Sequence, residues 1–392
     1  MKEIIIKPRA EFSLNAKHPW IYSGAIVGQK GVRSGDLVQI KNKKKEILGE
    51  GIFANRELIG TRVFSFGKET FLANYKESLK QAFLKRKALI PITNSFRIIH
   101  GEADGFPGIT IDYNAGHLRI QYYSKSLYKI ARLISFQLPK HCKNLSLNLS
   151  SISLVVPRRN SGNMQRNSRI LKGNSEDIVE IFYRSIRYKI SPELQKSGIY
   201  NDVRNLRSFI LDHPELIKGK KVLNLFSNNG LLSKCFEVSQ AKTVLSLEDS
   251  LECIKVHESN LNQSSIQKVQ RLDIFQNLEI FLQDKKENFG VIVIDPPSLT
   301  SKESDKDKAR KIYQSLFRTS IPYLVKNGIL ILASCSNRIF SEDFERIARE
   351  VFKEKQMQFK LITKLKEELD HPQIESFPEG NYLKVHIYTR VS

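Results

Sequence analysis

From about residue 219 onward, the chain alternates short apolar runs with segments of helical periodicity. The apolar runs are rich in Val, Ile and Leu, as expected for strands that are buried on both faces of a parallel sheet. These strands are predicted over 221–226, 243–248, 269–273, 291–295 and 328–334. Helices are predicted between them, for example over 250–260, 307–324 and 341–352. Because such alternation is typical of βαβ units, the sequence predicts an open α/β sheet.

Two residues with reactive side chains directly follow neighbouring predicted strands. Asp295 ends one strand and is followed by Pro296 and Pro297, whereas Cys335 follows the next strand and lies between two serines. Ligands of open α/β sheets bind at the carboxyl ends of the strands, so we expect Asp295 and Cys335 to face one crevice. A carboxyl group is costly to bury at the end of an apolar strand, and the prolines fix the turn after it. The structural alternatives are a capping Asp295 and a small buried Cys335.

The combination of a thiol and an acid predicts chemistry on a pyrimidine ring. Carbon 5 of cytosine is not nucleophilic by itself, but a thiolate that adds to carbon 6 makes carbon 5 react like an enamine. Cys335 is the candidate nucleophile, and Asp295 would donate a hydrogen bond or a proton to ring nitrogen 3. Nearby basic groups are expected to lower the pKa of the thiol. Enzymes that modify guanine would not need the cysteine, so the pair favours 5-methylation of cytosine.

Composition favours a polyanionic partner and argues against other classes of protein. With 63 Lys and Arg against 41 Asp and Glu, the net charge is +22, although a lysine-rich proteome would give the same excess. No apolar run approaches the roughly 20 residues of a membrane span, and residues 1–10 lack a signal-peptide apolar region. The scattered cysteines at 142, 235, 253 and 335 do not predict zinc or another metal. A reducing cytoplasm is the expected location.

The part of the chain before the α/β pattern contains short strands, turns and helical segments. Strands punctuated by glycines are predicted near 4–6, 37–40, 47–53 and 61–64, which favours a small β-barrel over about 1–70. Helical patterns follow over about 71–89 and 125–137. The segment 157–173 is basic and contains no carboxylate. It is predicted to be either a solvated loop or a loop that contacts RNA.

Several sequence blocks carry further information. They are HPWIYSGAI at 18–26, RIIHGEADGFPG at 97–108, QKSG at 195–198, VLNLFS at 222–227, DPP at 295–297, SCS at 334–336, HP at 371–372 and FPEGNYLK at 377–384. In this order they resemble the motifs of the bacterial 23S ribosomal RNA (cytosine-5)-methyltransferases, and the resemblance covers almost the whole chain. It implies a PUA-like β-barrel over 1–70, a small α+β middle domain over 71–188 and a Rossmann-like class I methyltransferase domain over 189–392.

The same resemblance implies S-adenosylmethionine as the cofactor and large-subunit ribosomal RNA as the substrate. The residues that it assigns to the cofactor are Asn224, Phe226, Ser227, Gly230, Glu248, Asp273, Asp295 and Pro296. The residues that it assigns to the substrate are Gln195, Lys196, Asp202, Arg204 and Pro297. Each kind of residue also has a structural alternative: turn geometry for the glycine, surface exposure for Glu248, a helix N-cap for Asp273, and salt bridges for Asp202 and Arg204.

The chain also departs from the family's pattern. The turn after the first strand, 227–231, lacks one glycine, Leu194 replaces another, and residues 199–201 replace an aromatic-rich run. Ser298 stands where some cytosine-5 enzymes have a second cysteine, so no base is assigned for removal of the carbon 5 proton. The alternatives to the cytosine-5 enzyme are a non-catalytic RNA-binding or ribosome-assembly protein and a methyltransferase for another base or RNA. A homodimer is left open.

Overall fold

A computed structural model describes residues 1–155, 168–174, 176–192, 198–261, 264–300 and 303–392. By compactness, the chain divides into two units. Unit 1 contains Met1–Arg184 and Leu369–Gly380, and unit 2 contains Ser185–Glu368 and Asn381–Ser392. The predicted three-part division at residues 70 and 188 remains a prediction. One difference from it is that Leu369–Gly380, which connects two strands of unit 2, packs within unit 1.

The amino-terminal part of unit 1 is a six-stranded sheet with one helix. Its strands are β1 (Lys2–Ile6), β2 (Trp20–Tyr22), β3 (Ile26–Gly28), β4 (Leu37–Lys41), β5 (Ile47–Phe53) and β6 (Ile59–Phe66), in the spatial order β2-β6-β5-β4-β1-β3. Helix α1 (Pro8–Asn15) begins with Pro8, whose fixed backbone angle suits a first helical turn. The alternating side chains Ile4 and Ile6 are buried together with Leu14 of the helix, so they hold α1 against the sheet.

The second part of unit 1 is a five-stranded sheet packed against two helices. Its helices are α2 (Phe71–Arg86) and α3 (Tyr128–Asn144), and its strands are β7 (Ser95–His100), β8 (Ile109–Asn114), β9 (His117–Tyr122), β10 (Ser151–Val155) and β11 (Ser168–Gly173). The spatial order is β11-β10-β9-β8-β7. A further strand, β12 (Val179–Tyr183), follows. The segment 157–173, predicted to be a loop, therefore ends in an edge strand, and its residues 157–167 lie outside the described residues.

A buried ion pair lies at the centre of this second part. Arg86 and Asp104 form a bidentate pair with N–O distances of 2.8 and 2.6 Å, and both side chains are fully buried. Asp104 also accepts a hydrogen bond from the backbone of His100. Arg86 donates a further bond to the carbonyl of Asp370, whose carboxylate accepts from the backbone of Arg97. The pair therefore holds the carboxyl-terminal segment Leu369–Gly380 inside unit 1.

Unit 2 is built on a seven-stranded sheet with helices between its strands. The strands are β13 (Ile186–Ile190), outside that sheet, and then β14 (Lys221–Leu225), β15 (Thr243–Glu248), β16 (Gln267–Arg271), β17 (Phe289–Ile294), β18 (Leu324–Ser334), β19 (Phe359–Lys364) and β20 (Lys384–Arg390). The helices are α4 (Arg204–Asp212), α5 (Leu231–Val238), α6 (Leu251–Ser259), α7 (Ile274–Lys285), α8 (Lys306–Ser320) and α9 (Ser341–Glu354). The sheet order is β16-β15-β14-β17-β18-β20-β19.

The five strands predicted from the apolar runs are all present and parallel, whereas β20 runs antiparallel between β18 and β19. Every residue of β17 is buried, and so are the last seven of β18, because helices cover both faces. All five parallel strands therefore end at one edge of the sheet, which is where the candidate site lies.

The buried ion pair of unit 1 generates a stability prediction. Asp104→Asn leaves the Arg86 charge buried without its carboxylate, so we expect a loss of about 3–5 kcal/mol in the free energy of unfolding of unit 1. Urea unfolding followed by the fluorescence of Trp20, the single tryptophan of the chain, measures it. The control is Glu354→Gln, which breaks the exposed pair with Arg318 and should leave the free energy of unfolding nearly unchanged. Equal effects of the two changes would contradict the prediction.

Candidate active site in the methyltransferase-like sheet

The carboxyl ends of the parallel strands bring together most of the predicted site residues. The turn after β14 contains Phe226, Ser227 and Gly230, Glu248 ends β15, and Asp273 follows β16. Asp295 and Pro296 follow β17, and Cys335 follows β18. Since β17 and β18 are hydrogen-bonded neighbours with Ile294 beside Leu332, Asp295 and Cys335 leave the sheet at adjacent positions. Gln195 and Lys196 lie outside the described residues.

The turn after β14 folds with one glycine because two other residues adopt left-handed backbone angles. Phe226 has φ of 58°, Asn228 of 50° and Gly230 of 85°. Asn side chains tolerate this region better than most, and the Asn229 carboxamide accepts a bond from the Leu231 amide at the start of α5. A Cβ on Gly230 would lie 2.3 Å from the His257 ring. Gly230 is therefore required both by its backbone angle and by close packing.

The predicted residues Asn224 and Ser227 differ in their hydrogen bonding. The Asn224 amide donates to Ser233 Oγ at 2.9 Å, and Ser233 in turn contacts Ser246 Oγ at 2.8 Å, so Asn224 belongs to a buried network beneath α5. Ser227 Oγ is buried and has no hydrogen-bond partner among the described residues. An unpaired buried hydroxyl carries a desolvation cost, and a ligand at this turn would remove that cost.

Glu248 and Asp273 both hold backbone turns at the rim of the sheet. The Glu248 carboxylate is half-buried and accepts bonds from the amides of Asn228, Asp249 and Ser250 at 2.9, 3.0 and 3.0 Å. Asp273 caps α7 through the Gln276 amide at 3.2 Å, as the structural alternative predicted. A carboxylate has about four acceptor sites, so Glu248 retains capacity for a ligand hydroxyl.

Two aromatic rings follow the strands β14 and β16 at the same edge of the sheet. Phe226 and Phe275 are 5.1 Å apart between ring centroids, and Phe275 is 49% exposed. They form an apolar surface in the segments that follow β14 and β16, of the kind that contacts a flat ring system in a ligand pocket. Phe275 was missed from the sequence, although its position two residues after Asp273 was a usable signal.

Asp295 is an acid that is kept partly neutral by its surroundings. Burial, and next the negative charge of Asp202, raise the pKa of Asp295 to about 7. Asp202 accepts a bond from the Tyr382 hydroxyl at 2.9 Å, and its other oxygen has no hydrogen-bond partner among the described residues. A large fraction of Asp295 is therefore a carboxylic acid at neutral pH and can donate a hydrogen bond.

The pKa of the Cys335 thiol is raised, whereas the sequence predicted that nearby basic groups would lower it. Burial, followed by the charges of Asp295 and Asp202, raises the pKa of the thiol to about 12, so the expectation of a lowered pKa is wrong for the protein alone. The physical reason is that the thiolate would be a second anion in a poorly hydrated site. Its Sγ lies 3.8 Å from the carbonyl oxygen of Pro296. The candidate nucleophile and the Pro–Pro turn are thus in direct contact.

The buried ammonium group of Lys384 opposes the rise in the pKa of the Cys335 thiol. Lys384, at the start of β20, donates to the carbonyls of Ser336 and Tyr382 at 2.6 and 2.7 Å. Burial lowers the pKa of Lys384 to about 8, and its charge lowers the pKa of the Cys335 thiol. Lys384 was not selected as a site residue from the sequence, although it ends the FPEGNYLK block.

A hydroxyl network joins the loops that carry the acid and the thiol. Tyr313 of α8 donates to Ser334 Oγ at 2.8 Å and lies 3.2 Å from Ser336 Oγ. Ser336 Oγ in turn accepts from the Leu299 amide at 3.1 Å, just beyond the two prolines. These contacts fix the loop after β17 against the loop after β18. They explain why serines flank Cys335.

The remaining predicted substrate residues have separate roles. Arg204, at the start of α4, forms a buried ion pair with Glu368 at 3.0 Å, which is the structural alternative considered for it. Pro297 is exposed beside the crevice. Tyr200, missed from the sequence, lies within the electrostatic reach of Asp202, Cys335 and Asp295, and burial raises the pKa of its hydroxyl. It stands in the run that departs from the family's pattern.

No group of three or more His, Cys, Asp or Glu side chains in the described part of the chain could hold a metal ion. No helix among the described residues has the length and apolar character needed to cross a membrane.

Comparison with known proteins supports the sequence blocks. Residues 4–66 match the family model of a PUA-like domain. Ribosomal RNA large subunit methyltransferase I of Alteromonas mediterranea is 28% identical over 393 residues, covering 97% of each chain. The protein of the same description from Enterobacter sp. (strain 638) is 29% identical over 398 residues, again covering 97% of each chain.

Solved structures show the same fold. A protein from Streptococcus mutans that is assigned to the SAM-dependent methyltransferases superposes with a TM-score of 0.81 at 18% identity, covering 99% of this chain and 100% of that one. A second methyltransferase structure, in complex with SAH, gives a TM-score of 0.82 at 18% identity with the same coverage. The predicted resemblance and fold class are therefore confirmed: the chain joins a PUA-like domain to the Rossmann-like methyltransferase fold, and it is similar along nearly its whole length to ribosomal RNA large subunit methyltransferases.

Proposed function

We propose that this protein is an S-adenosylmethionine-dependent methyltransferase that forms 5-methylcytosine in large-subunit ribosomal RNA, with Cys335 as the nucleophile. The near-full-length relatives support the ribosomal RNA substrate. The observation that carries the cytosine chemistry is the placement of Asp295 and Cys335 after the adjacent strands β17 and β18. A protein that only binds RNA needs neither a neutral acid nor a thiol at this edge.

The residues at the ends of β14 to β16 fit S-adenosylmethionine. Ser227 Oγ is buried and unpaired among the described residues, and Glu248 has free acceptor capacity for ribose hydroxyls. Phe226 and Phe275 provide apolar surface for the adenine ring, next to Asp273. When bound there, the cofactor supplies an electrophilic methyl group on a sulfonium centre.

Asp295 and Cys335 each contribute one part of the activation of cytosine. Asp295, with a pKa raised to about 7, keeps the proton with which it hydrogen-bonds ring nitrogen 3 and draws electrons away from carbon 6. Cys335 loses its thiol proton to solvent, and its thiolate adds to carbon 6 to form a C–S bond. Carbon 5 then becomes enamine-like. Carbon 5 would then take the methyl group that the cofactor supplies. Loss of the carbon 5 proton to water re-forms the double bond between carbons 5 and 6, breaks the C–S bond and releases the thiolate.

Lys384 acts as a positioning residue for the thiol. Its two carbonyl contacts hold the ammonium beside the loop of Cys335, where the positive charge favours the thiolate over the thiol. Because burial raises the thiol pKa, this cation limits a cost that would otherwise keep Cys335 protonated. An incoming RNA base would also displace water, so the charge becomes more effective in the complex.

The RNA substrate has to present an accessible cytosine. A base inside a helix cannot reach a crevice at the sheet edge, so the target is single-stranded or is flipped out of its stack. The PUA-like domain and the excess of basic residues supply contacts to phosphates, which position the RNA without reading its sequence.

Removing the thiol tests the nucleophile. Methyl transfer from labelled S-adenosylmethionine to protein-free large-subunit ribosomal RNA should fall by at least about 10³-fold in Cys335→Ala, because the covalent step is lost. Nucleoside analysis should identify 5-methylcytosine with the unchanged protein. Cys142→Ala, which removes a buried thiol of unit 1, is the control and should keep activity within a few fold.

An independent measurement traps the covalent adduct. RNA containing 5-fluorocytidine cannot lose a proton from carbon 5, so the unchanged protein should form a stable complex on a denaturing gel and Cys335→Ala should not. Methyl transfer that is unaffected by Cys335→Ala would leave a methyltransferase without the thiolate mechanism. Absence of both transfer and calorimetric cofactor binding would favour a non-catalytic RNA-binding protein.

The raised pKa of Asp295 predicts a pH-dependent stability. The folded-state pKa of about 7 lies above the ordinary value of 3.8, so the folded protein binds more protons and loses stability as pH rises from about 4 to 7. Asp295→Asn cannot ionise and should raise the melting temperature by about 3–6 °C at pH 8, with little change at pH 4.5. The exposed control, Asp249→Asn, should give no such difference between the two pH values.

The role of Lys384 predicts a change in the pH profile of methyl transfer. In single-turnover reactions the rate should rise with pH as the thiolate forms and fall as Asp295, with a pKa of about 7, loses its proton. Lys384→Met should lower the maximal rate by about tenfold and move the rising limb of the profile to higher pH. Lys384→Arg should recover most of the rate, because it restores the charge. Lys364→Met, on the neighbouring strand β19, is the control. A uniformly lower rate with an unmoved profile would indicate a purely structural lysine.

A further inference from the structure

A long part of the sequence in unit 1 contains no acidic residue. Between Asp112 and Glu176 there is no Asp or Glu, whereas Lys and Arg occur throughout. The described residues of this stretch form β9, α3, β10 and β11. A general excess of lysine would add cations without removing every carboxylate from one stretch. The missing carboxylates therefore indicate a surface that has to accept a polyanion.

Helix α3 presents aromatic and basic side chains in one stripe. Its inward side chains, such as Ile130, Ile134 and Leu138, are buried in the core of unit 1. The opposite stripe repeats every four residues, which places its members on one face of the helix, and consists of Tyr128, Arg132, Phe136 and Lys140. Phe136 is 67% exposed, and the Arg132 guanidinium lies 5.1 Å from its ring centroid.

The stripe continues onto the edge of the five-stranded sheet. The Arg169 guanidinium of β11 contacts the Tyr128 hydroxyl at 3.5 Å, and the Tyr128 ring lies 6.2 Å from that of Tyr122. Since β11 is the outer strand, Arg169 and Lys172 are exposed along this edge. We call Tyr128, Arg132, Phe136, Lys140, Arg169 and Lys172 the α3–β11 surface.

Alternating rings and guanidinium groups fit one kind of polyanion better than others. Basic side chains on an edge strand also prevent edge-to-edge pairing, which would explain Arg169 and Lys172 but not an exposed Phe136 beside Arg132. Single-stranded nucleic acid offers bases that stack on aromatic rings and phosphates that pair with Lys and Arg. Tyr128 and Phe136 are eight residues apart, about 12 Å along the helix, so two bases can stack separately.

We propose that the α3–β11 surface binds single-stranded RNA, with bases on Tyr128 and Phe136 and phosphates on Arg132, Arg169 and the neighbouring lysines. The identity of that RNA as a segment of the methylation substrate rests on the proposed function. The binding itself does not depend on methyl transfer, because the surface lies in unit 1 and uses none of the candidate active-site residues.

The test measures binding of the full chain to a fluorescein-labelled single-stranded oligouridine by fluorescence anisotropy at several salt concentrations. This probe contains no cytosine, so methyl transfer does not enter the measurement. Phe136→Leu, which keeps the apolar bulk and removes the ring, should weaken binding by about fivefold or more. Arg132→Gln and Arg169→Gln should each reduce the slope of log affinity against log salt by about 0.7.

Matched controls come from helix α7, which has a similar pair. There the Lys285 ammonium lies 6.0 Å from the Phe281 ring, but it is paired with the Glu287 carboxylate at 3.5 Å. Phe281→Leu and Lys285→Gln should leave affinity within about twofold and the salt slope unchanged. Equal effects at the two helices would overturn the proposal, since any exposed basic residue would then contribute equally to RNA binding.

Two further outcomes separate this proposal from its alternatives. If the α3–β11 variants bind oligouridine normally but lose binding to vesicles containing phosphatidylserine, the surface binds membranes and the RNA proposal is wrong. Cys335→Ala should bind oligouridine like the unchanged protein. Absence of methyl transfer by the unchanged protein, together with intact RNA binding that depends on the α3–β11 surface, would remove the proposed enzymatic function and leave the RNA surface standing.

Discussion

The hydrogen-bonded pairing of β17 with β18 is the constraint on which the candidate site depends. Its parallel register sets Ile294 beside Leu332, so Asp295 and Cys335 emerge next to each other at one edge of the sheet. Both strands are covered on both faces, and Asp295 and Cys335, which follow them, are only partly exposed. Burial favours the neutral forms of the acid and the thiol, the charge of Asp202 further disfavours ionised Asp295, and the charge of Asp295 further disfavours the thiolate. The protein therefore presents a protonated acid, which suits hydrogen bonding to a ring nitrogen, beside a thiol that needs help to ionise.

That help comes from the antiparallel end of the sheet. Strand β20 inserts between β18 and β19, and its first residue, Lys384, lies opposite Ser334 in the register. The ammonium is held by two backbone carbonyls, and burial makes its own charge costly, with a pKa near 8. The thiol and the lysine thus stabilise each other's charged forms. Functional sites often contain such pairs of groups with shifted pKa values. Holding these groups in the folded protein lowers its stability.

Several residues of the cofactor region have structural and candidate binding roles at once. Asp273 caps α7, Glu248 holds the turn before α6, and Gly230 meets both a left-handed backbone angle and the His257 ring. A structural role does not compete with binding in these cases, because a carboxylate that accepts backbone amides retains further acceptor sites. Asn224 differs, since its amide is used inside the fold by Ser233. Arg204 likewise has Glu368 as a buried partner.

The sequence by itself determined the order of strands and helices, the acid and the thiol at strand ends, and the resemblance that led to the fold class. These properties are local, because apolar runs, turns and motif blocks can each be recognised from residues that are close together in the sequence. The tertiary structure determined the pKa values of the site residues and which charged groups lie near them. The raised pKa of Cys335 depends on burial and then on the charges of Asp295 and Asp202, and its opposing cation, Lys384, lies about fifty residues further along the chain. The α3–β11 surface likewise joins Tyr128 to Arg169 across the sheet. Burial and long-range charge pairing are properties of the packed chain, so no local pattern contains them.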